Sequence, residues 1–201
     1  MNVAGCIRHV TDTANSWQQL IDQTVPAGNR GGGDIHHVIR LQAEFCRHHQ
    51  RRGIGHIQLV DIGVGNICRS PTAERLLQRY HPELKVESAG LGALVGKGAD
   101  PTAISVAAEH QLSLEGHCAR QISRRLCRNY DLILTMEKRH IERLCEMAPE
   151  MRGKVMLFGH WDNECEIPDP YRKSRETFAA VYTLLERSAR QWAQALNAEQ
   201  V

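Results

Sequence analysis

The sequence predicts an α/β fold: a three-layer sandwich whose four-stranded, mostly parallel sheet carries helices on both faces. Three observations lead there. From residue 57 onward, strand-like and helix-like segments alternate in the order that parallel strands with crossover helices require. The apolar run over residues 132–136 has the character of a central strand buried on both faces. A glycine-bearing loop joins the first strand to the first helix, where open α/β sheets bind their ligands.

The first strand is expected over residues 57–62, and a helix follows from Ser70 and Pro71 to about Tyr80. Serine suits a helix cap and proline its first turn, and Ala73, Leu76, Leu77 and Tyr80 recur at helical spacing on one face. Residues 85–88 form the second strand. Asp100 and Pro101 open a helix that runs to about His110, because an aspartate before a proline caps and starts a helix together. The third strand, 132–136, is followed by a helix over 137–147. A last strand spans 155–157, and a long helix over 175–197 closes the chain.

Residues 1–56 differ in texture from the domain expected over 57–201. They are polar and rich in Gly, His and Arg, and the stretch from Pro26 to Gly33 would break any element running through it. A poorly structured N-terminal extension is expected, with short helices at most over 16–23 and 37–49. Six of the eleven histidines (His9, His36, His37, His48, His49 and His56) fall in this extension, but no Cys or carboxylate accompanies them at ligand spacing. No metal site is expected. The formal net charge of +2 is too mild for a nucleic-acid partner. Seven cysteines without a CxxC pair match neither a disulfide framework nor zinc. Together with the absence of a long apolar run or an export signal, they point to a cytoplasmic chain that does not insert in membranes.

Chemistry concentrates in the loop Val64, Gly65, Asn66, Ile67, Cys68, Arg69, Ser70. A tight loop feeding a helix N-terminus aims several backbone N–H groups at one point, and the helix dipole adds about half a positive charge. Such a cradle suits a tetrahedral dianion. Arg69 supplies a planar fork for two phosphate oxygens, Gly65 permits the close turn, and the Asn66 amide can bond across the loop to stiffen it.

These residues, followed by Pro71, resemble the signature of the low-molecular-weight protein tyrosine phosphatases, in which a cysteine, five residues, then Arg and Ser form the loop. Further family-like pieces follow in order: Glu87 to Gly90, Asp100 with Pro101, His117 to Gln121, and Pro168 to Tyr171. The resemblance covers residues 64 to about 197. It implies attack on phosphotyrosine by a loop thiolate, a cysteinyl-phosphate intermediate, and no metal or organic cofactor. Ser70 would stabilise the thiolate, and Asp169 would act as general acid and then as base toward water. Ser88 and His117 would orient the loop asparagine, and Leu94 and Tyr171 would wall the substrate ring. Each also has a plainer reading: Asp169 as a turn residue, Ser88 and His117 as local hydrogen-bonders, Leu94 and Tyr171 as surface or core. The implied partner is a phosphotyrosine protein, a bacterial tyrosine autokinase of polysaccharide export.

The chain departs from this pattern at one point. Counting back from Arg69 puts the nucleophile position at Gly63, which has no side chain. The strand before it is also unusual, since Gln58 and Asp61 interrupt what should be an apolar run. Cys68 resembles the family's second loop cysteine, and it leaves the loop from a different point, so it is not expected to substitute. Two origins fit: a pseudophosphatase that kept its cradle, or a junction, mutation or shifted reading frame upstream of residue 64. The functional alternatives are therefore a tyrosine phosphatase and a catalytically silent phosphotyrosine-binding module. An arsenate reductase of related fold would need the same missing cysteine.

Overall fold

The structure, a computed structural model, describes residues 58–197, with side chains from 62 to 196. All of these fall in the second of the two units into which the chain divides, Leu41–Val201. The expected extension over 1–56, its two short helices, its six histidines and the side chains of Gln58 and Asp61 lie outside the described residues.

Four strands, β1 (Gln58–Gly63), β2 (Lys85–Gly90), β3 (Leu132–Thr135) and β4 (Val155–Leu157), form one sheet in the order β2-β1-β3-β4. Every pairing is parallel, so the sheet is wholly rather than mostly parallel among the described residues. Register places Ile62 of β1 opposite Ala89 and Thr135, which brings the carboxyl ends of three strands to a common edge. The helices are α1 (Arg69–Tyr80), α2 (Pro101–Glu109), α3 (Arg124–Arg128), α4 (Lys138–Met147) and α5 (Arg175–Asn197), with a 3-10 turn at Pro149–Lys154. Neither α3 nor the 3-10 turn was expected from sequence: five and six residues give no periodicity to detect.

Alternation along β3 divides the core in two. Leu132 and Leu134 face a layer built with α1, α2 and α5, where Leu76, Leu77, Val106, Phe178, Leu185 and Trp192 meet. Ile133 faces the other side, with Ile62, Cys127, Leu144 and Met151. A strand buried on both faces favours apolar residues on both, which is why 132–136 is apolar except at Thr135, whose buried hydroxyl donates to Met156 O at 3.3 Å. No helix of the described residues is long and apolar enough to cross a membrane.

One boundary differs from expectation with consequences for the site. Helix α1 begins at Arg69, not Ser70, and Cys68 is its N-cap with no side-chain cap bond. Ser70 is thus turned into the loop instead of capping the helix, and its hydroxyl accepts from Asn66 Nδ2 at 3.2 Å. Asp100 does cap α2, its Oδ1 accepting from the amides of Thr102 at 2.8 Å and Ala103 at 3.3 Å.

Candidate active site

The loop between β1 and α1 is held by its carbonyls. Gly63 O accepts from the Leu91 amide and Val64 O from Gly92, both at 3.0 Å; Gly65 O accepts from Leu94 at 3.0 Å and Ile67 O from Asp100 at 2.8 Å. His117 Nε2 lies 2.6 Å from Asn66 O, and Thr72 Oγ1 donates to Cys68 O at 2.9 Å. A trans peptide sets its N–H opposite its C=O. Tethering the carbonyls outward therefore turns the amides that follow them toward the loop interior, where α1 contributes its N-terminus. The fit is close: a Cβ on Gly90 would stand 2.3 Å from Val64 O, so only glycine lets β2 pass under the loop.

Asn66 is the brace. Its φ of 56° is left-handed, a conformation asparagine tolerates better than most residues. Its buried amide donates to Ser70 Oγ at 3.2 Å and to Ser88 Oγ at 3.0 Å, while Oδ1 accepts from the Arg120 amide at 2.8 Å. Ser88 in turn donates to Glu74 Oε2 at 2.6 Å. Ser88 and His117 thus both touch Asn66; Glu74 and Arg120 complete the bracing and are not singled out in the sequence, although Arg120 lies within the piece from His117 to Gln121. Asn66→Ala is expected to lower the unfolding free energy by about 2 kcal/mol, through a broken buried network and a left-handed alanine, measurable by urea denaturation.

Arg69 is only 3% exposed. Its Nη1 donates to Glu137 Oε1 at 2.6 Å and to Ile167 O at 2.7 Å, and its Nη2 lies 3.4 Å from Asp169 Oδ2. Glu137, the N-cap residue of α4, also receives Arg139 Nε at 2.7 Å. Burial alone would raise the Glu137 carboxyl, but hydrogen bonds from Arg69 and Arg139 outweigh it and hold the group below the ordinary glutamate range. It is therefore a firm anion at neutral pH, fixing the guanidinium in place. Asp169 Oδ1 accepts from the Tyr171 amide at 3.3 Å, and its side chain remains 38% exposed.

These groups enclose a cavity of about 320 Å³. Gly63, the loop residues 64–70, Gly92, Leu94, Asp169, Tyr171 and Arg172 line it, so the expected loop, acid and wall residues meet at one place. Position 63 is at its floor: a Cβ built on Gly63 would stand 2.9 Å from Ser70 Oγ and 3.5 Å from Ser70 Cβ. Burial first, then the charges of Asp100 and Asp169, push the Cys68 thiol up to about 12, only partly offset by Arg69. At neutral pH that sulfur keeps its proton. Among the described residues no group of His, Cys, Asp and Glu could hold a metal ion.

Residues 58–201 match the family model for low molecular weight phosphotyrosine protein phosphatase. The chain belongs to that family. Over 143 residues it is 80% identical to the low molecular weight protein-tyrosine-phosphatase Wzb of Salmonella typhimurium, covering 71% of this chain and 96% of that protein. A solved protein tyrosine phosphatase superimposes with a TM-score of 0.69 at 96% identity, over 72% of this chain and 98% of the other. The tyrosine phosphatase Wzb of Escherichia coli K30, solved with sulphate, gives 0.68 at 52% identity, over 69% and 97% respectively.

Proposed function

We propose that this chain binds phosphotyrosine in the cavity closed by Arg69 and, with Gly63 at the position of the nucleophile, holds the phosphate without hydrolysing it. The observation that carries this reading is where a Cβ on residue 63 would point, 2.9 Å from Ser70 Oγ. A side chain there would enter the cavity floor beside Ser70 Oγ, where a thiolate could be stabilised by a hydroxyl, the loop amides and the α1 N-terminus. Glycine puts nothing at that point. The nearby Cys68 thiol is protonated and leaves from the N-cap of α1, so in-line attack has no sulfur to make it.

Loss of the thiolate need not weaken binding. A negative sulfur beside a phosphate dianion repels it, and removing it leaves the amides and Arg69 in place. Asp169, 3.4 Å from Arg69 and partly exposed, fits the general acid of the family reaction, with Leu94 and Tyr171 flanking the substrate ring. The natural ligand we propose is a phosphotyrosine on a bacterial tyrosine autokinase of polysaccharide export, met in the cytoplasm; this rests on the family resemblance. The domain is proposed to begin near residue 57, with 1–56 an extension.

Calorimetry at neutral pH with phosphate and vanadate tests the reading together with p-nitrophenyl phosphate turnover. Binding that is lost in Arg69→Ala, without turnover above background, is the expected result. Turnover by the unaltered chain would instead favour an active phosphatase. No binding, and no effect of Arg69→Ala, would remove the phosphate site altogether.

A further inference from the structure

We propose that Arg172 selects the bound phosphotyrosine segment by pairing with a second negative charge, an acidic side chain one or two residues away from the phosphotyrosine. This rests on reading the cavity as a phosphotyrosine pocket. Arg172 stands at the cavity mouth with Tyr171 and Leu94. Its guanidinium carbon lies 5.2 Å from the centroid of the Tyr171 ring. Stacking of this kind steadies the planar head and leaves its N–H edges free for an anion.

Arg172 has two further features. Unlike Arg69, Arg120, Arg175 and Arg187, which each grip a carboxylate of this chain, it has none within ion-pair distance among the described residues; Arg75, Arg79, Arg125 and Arg152 share that state, but none of them lines the cavity. The φ of Arg172, 61°, is left-handed, a strained state for a side chain that is neither glycine nor asparagine, and such residues gather at ligand clamps. A guanidinium held at some cost, at the entrance to an anion pocket and with its charge uncommitted, is suited to an anion supplied from outside.

The surroundings define what brings that anion. Val64, Leu94 and Tyr171 line the same cavity, and Val95 follows Leu94; these are four of the five exposed large hydrophobic residues of the described chain. The rim is therefore an apolar collar with one uncommitted cation on it, and Lys173 follows in the chain with the same sign. An extended peptide advances about 3.3 Å per residue, so a carboxylate one or two residues from the inserted ring stands over the rim. A free small anion would have no use for the collar; an acidic phosphotyrosine peptide uses both.

The test employs peptides carrying phosphonomethyl-phenylalanine, which cannot be hydrolysed, flanked by alanine, glutamate or lysine. Calorimetry at low salt should give the glutamate peptide an affinity about two- to fivefold above the alanine peptide, as an exposed ion pair provides, and the lysine peptide a lower one. In Arg172→Ala the ratio of glutamate to alanine affinity should fall toward one, and in Arg172→Glu the preference should pass to lysine. Comparing ratios within each variant cancels any general effect on the pocket. If benzylphosphonate binds the unaltered chain but the ratio is the same with and without Arg172, the proposal is overturned and the pocket reading stands. If benzylphosphonate does not bind, the pocket reading falls and takes the proposal with it.

Discussion

Gly63→Cys is expected to raise p-nitrophenyl phosphate turnover by about a millionfold, the scale on which removing the nucleophile of another covalent enzyme lowers it. The new Cβ would stand 2.9 Å from Ser70 Oγ, closer than ordinary contact, but the neighbour is a hydroxyl whose rotation relieves it. The sulfur then enters a cavity already shaped for the reaction. Loop amides, the α1 N-terminus and the Ser70 hydroxyl lower the thiol pKa, and Arg69 and the same amides meet the charge of the transferring phosphoryl group. Steady-state kinetics and mass-spectrometric trapping of the cysteinyl-phosphate read the outcome. A Gly63→Cys protein as inert as its parent would mean that residue 63 does not occupy the nucleophile position.

Where physics acts locally, the sequence was readable. Asp100 with Pro101 announced a capped helix because both signals lie within two residues, and the 132–136 run announced a doubly buried strand because every position but Thr135 is apolar. The loop 64–70 was equally legible, since a glycine-bearing turn, an arginine and a helix start are contiguous. What escaped was long-range. Glu137 grips Arg69 across 68 residues of sequence, and only the parallel pairing of β1 with β3 brings the end of one strand beside the start of α4. Arg120 and Glu74 reach the Asn66 network in the same way, through folding rather than spacing. Ser70 before Pro71 has the local pattern of a helix cap; the structure uses its hydroxyl inside the loop, and the cap position falls to Cys68, which offers no cap bond.

Arg69→Ala should weaken phosphate binding by about 2–5 kcal/mol, as truncating one partner of a desolvated charge contact does. Stability should fall with it by about 2–4 kcal/mol, because Glu137 loses its buried arginine and keeps the exposed Arg139 and, at 3.6 Å, the His140 ring. Glu137→Gln separates the two effects. It leaves Arg69 in place with a neutral acceptor, so phosphate binding should persist with a smaller loss, about 1 kcal/mol, from a guanidinium less firmly aimed. The pH dependence carries a definite sign. Since the Glu137 carboxyl is held below its ordinary range in the folded chain, its contribution to stability is complete above the ordinary glutamate pKa and disappears as the pH falls through the depressed folded value. Urea unfolding of the parent and of Glu137→Gln should therefore differ most near neutrality and converge on the acid side. A gap between the two that stayed constant down to acid pH would place the stabilising charge elsewhere than on Glu137, and with it the anchor that keeps Arg69 facing the cavity.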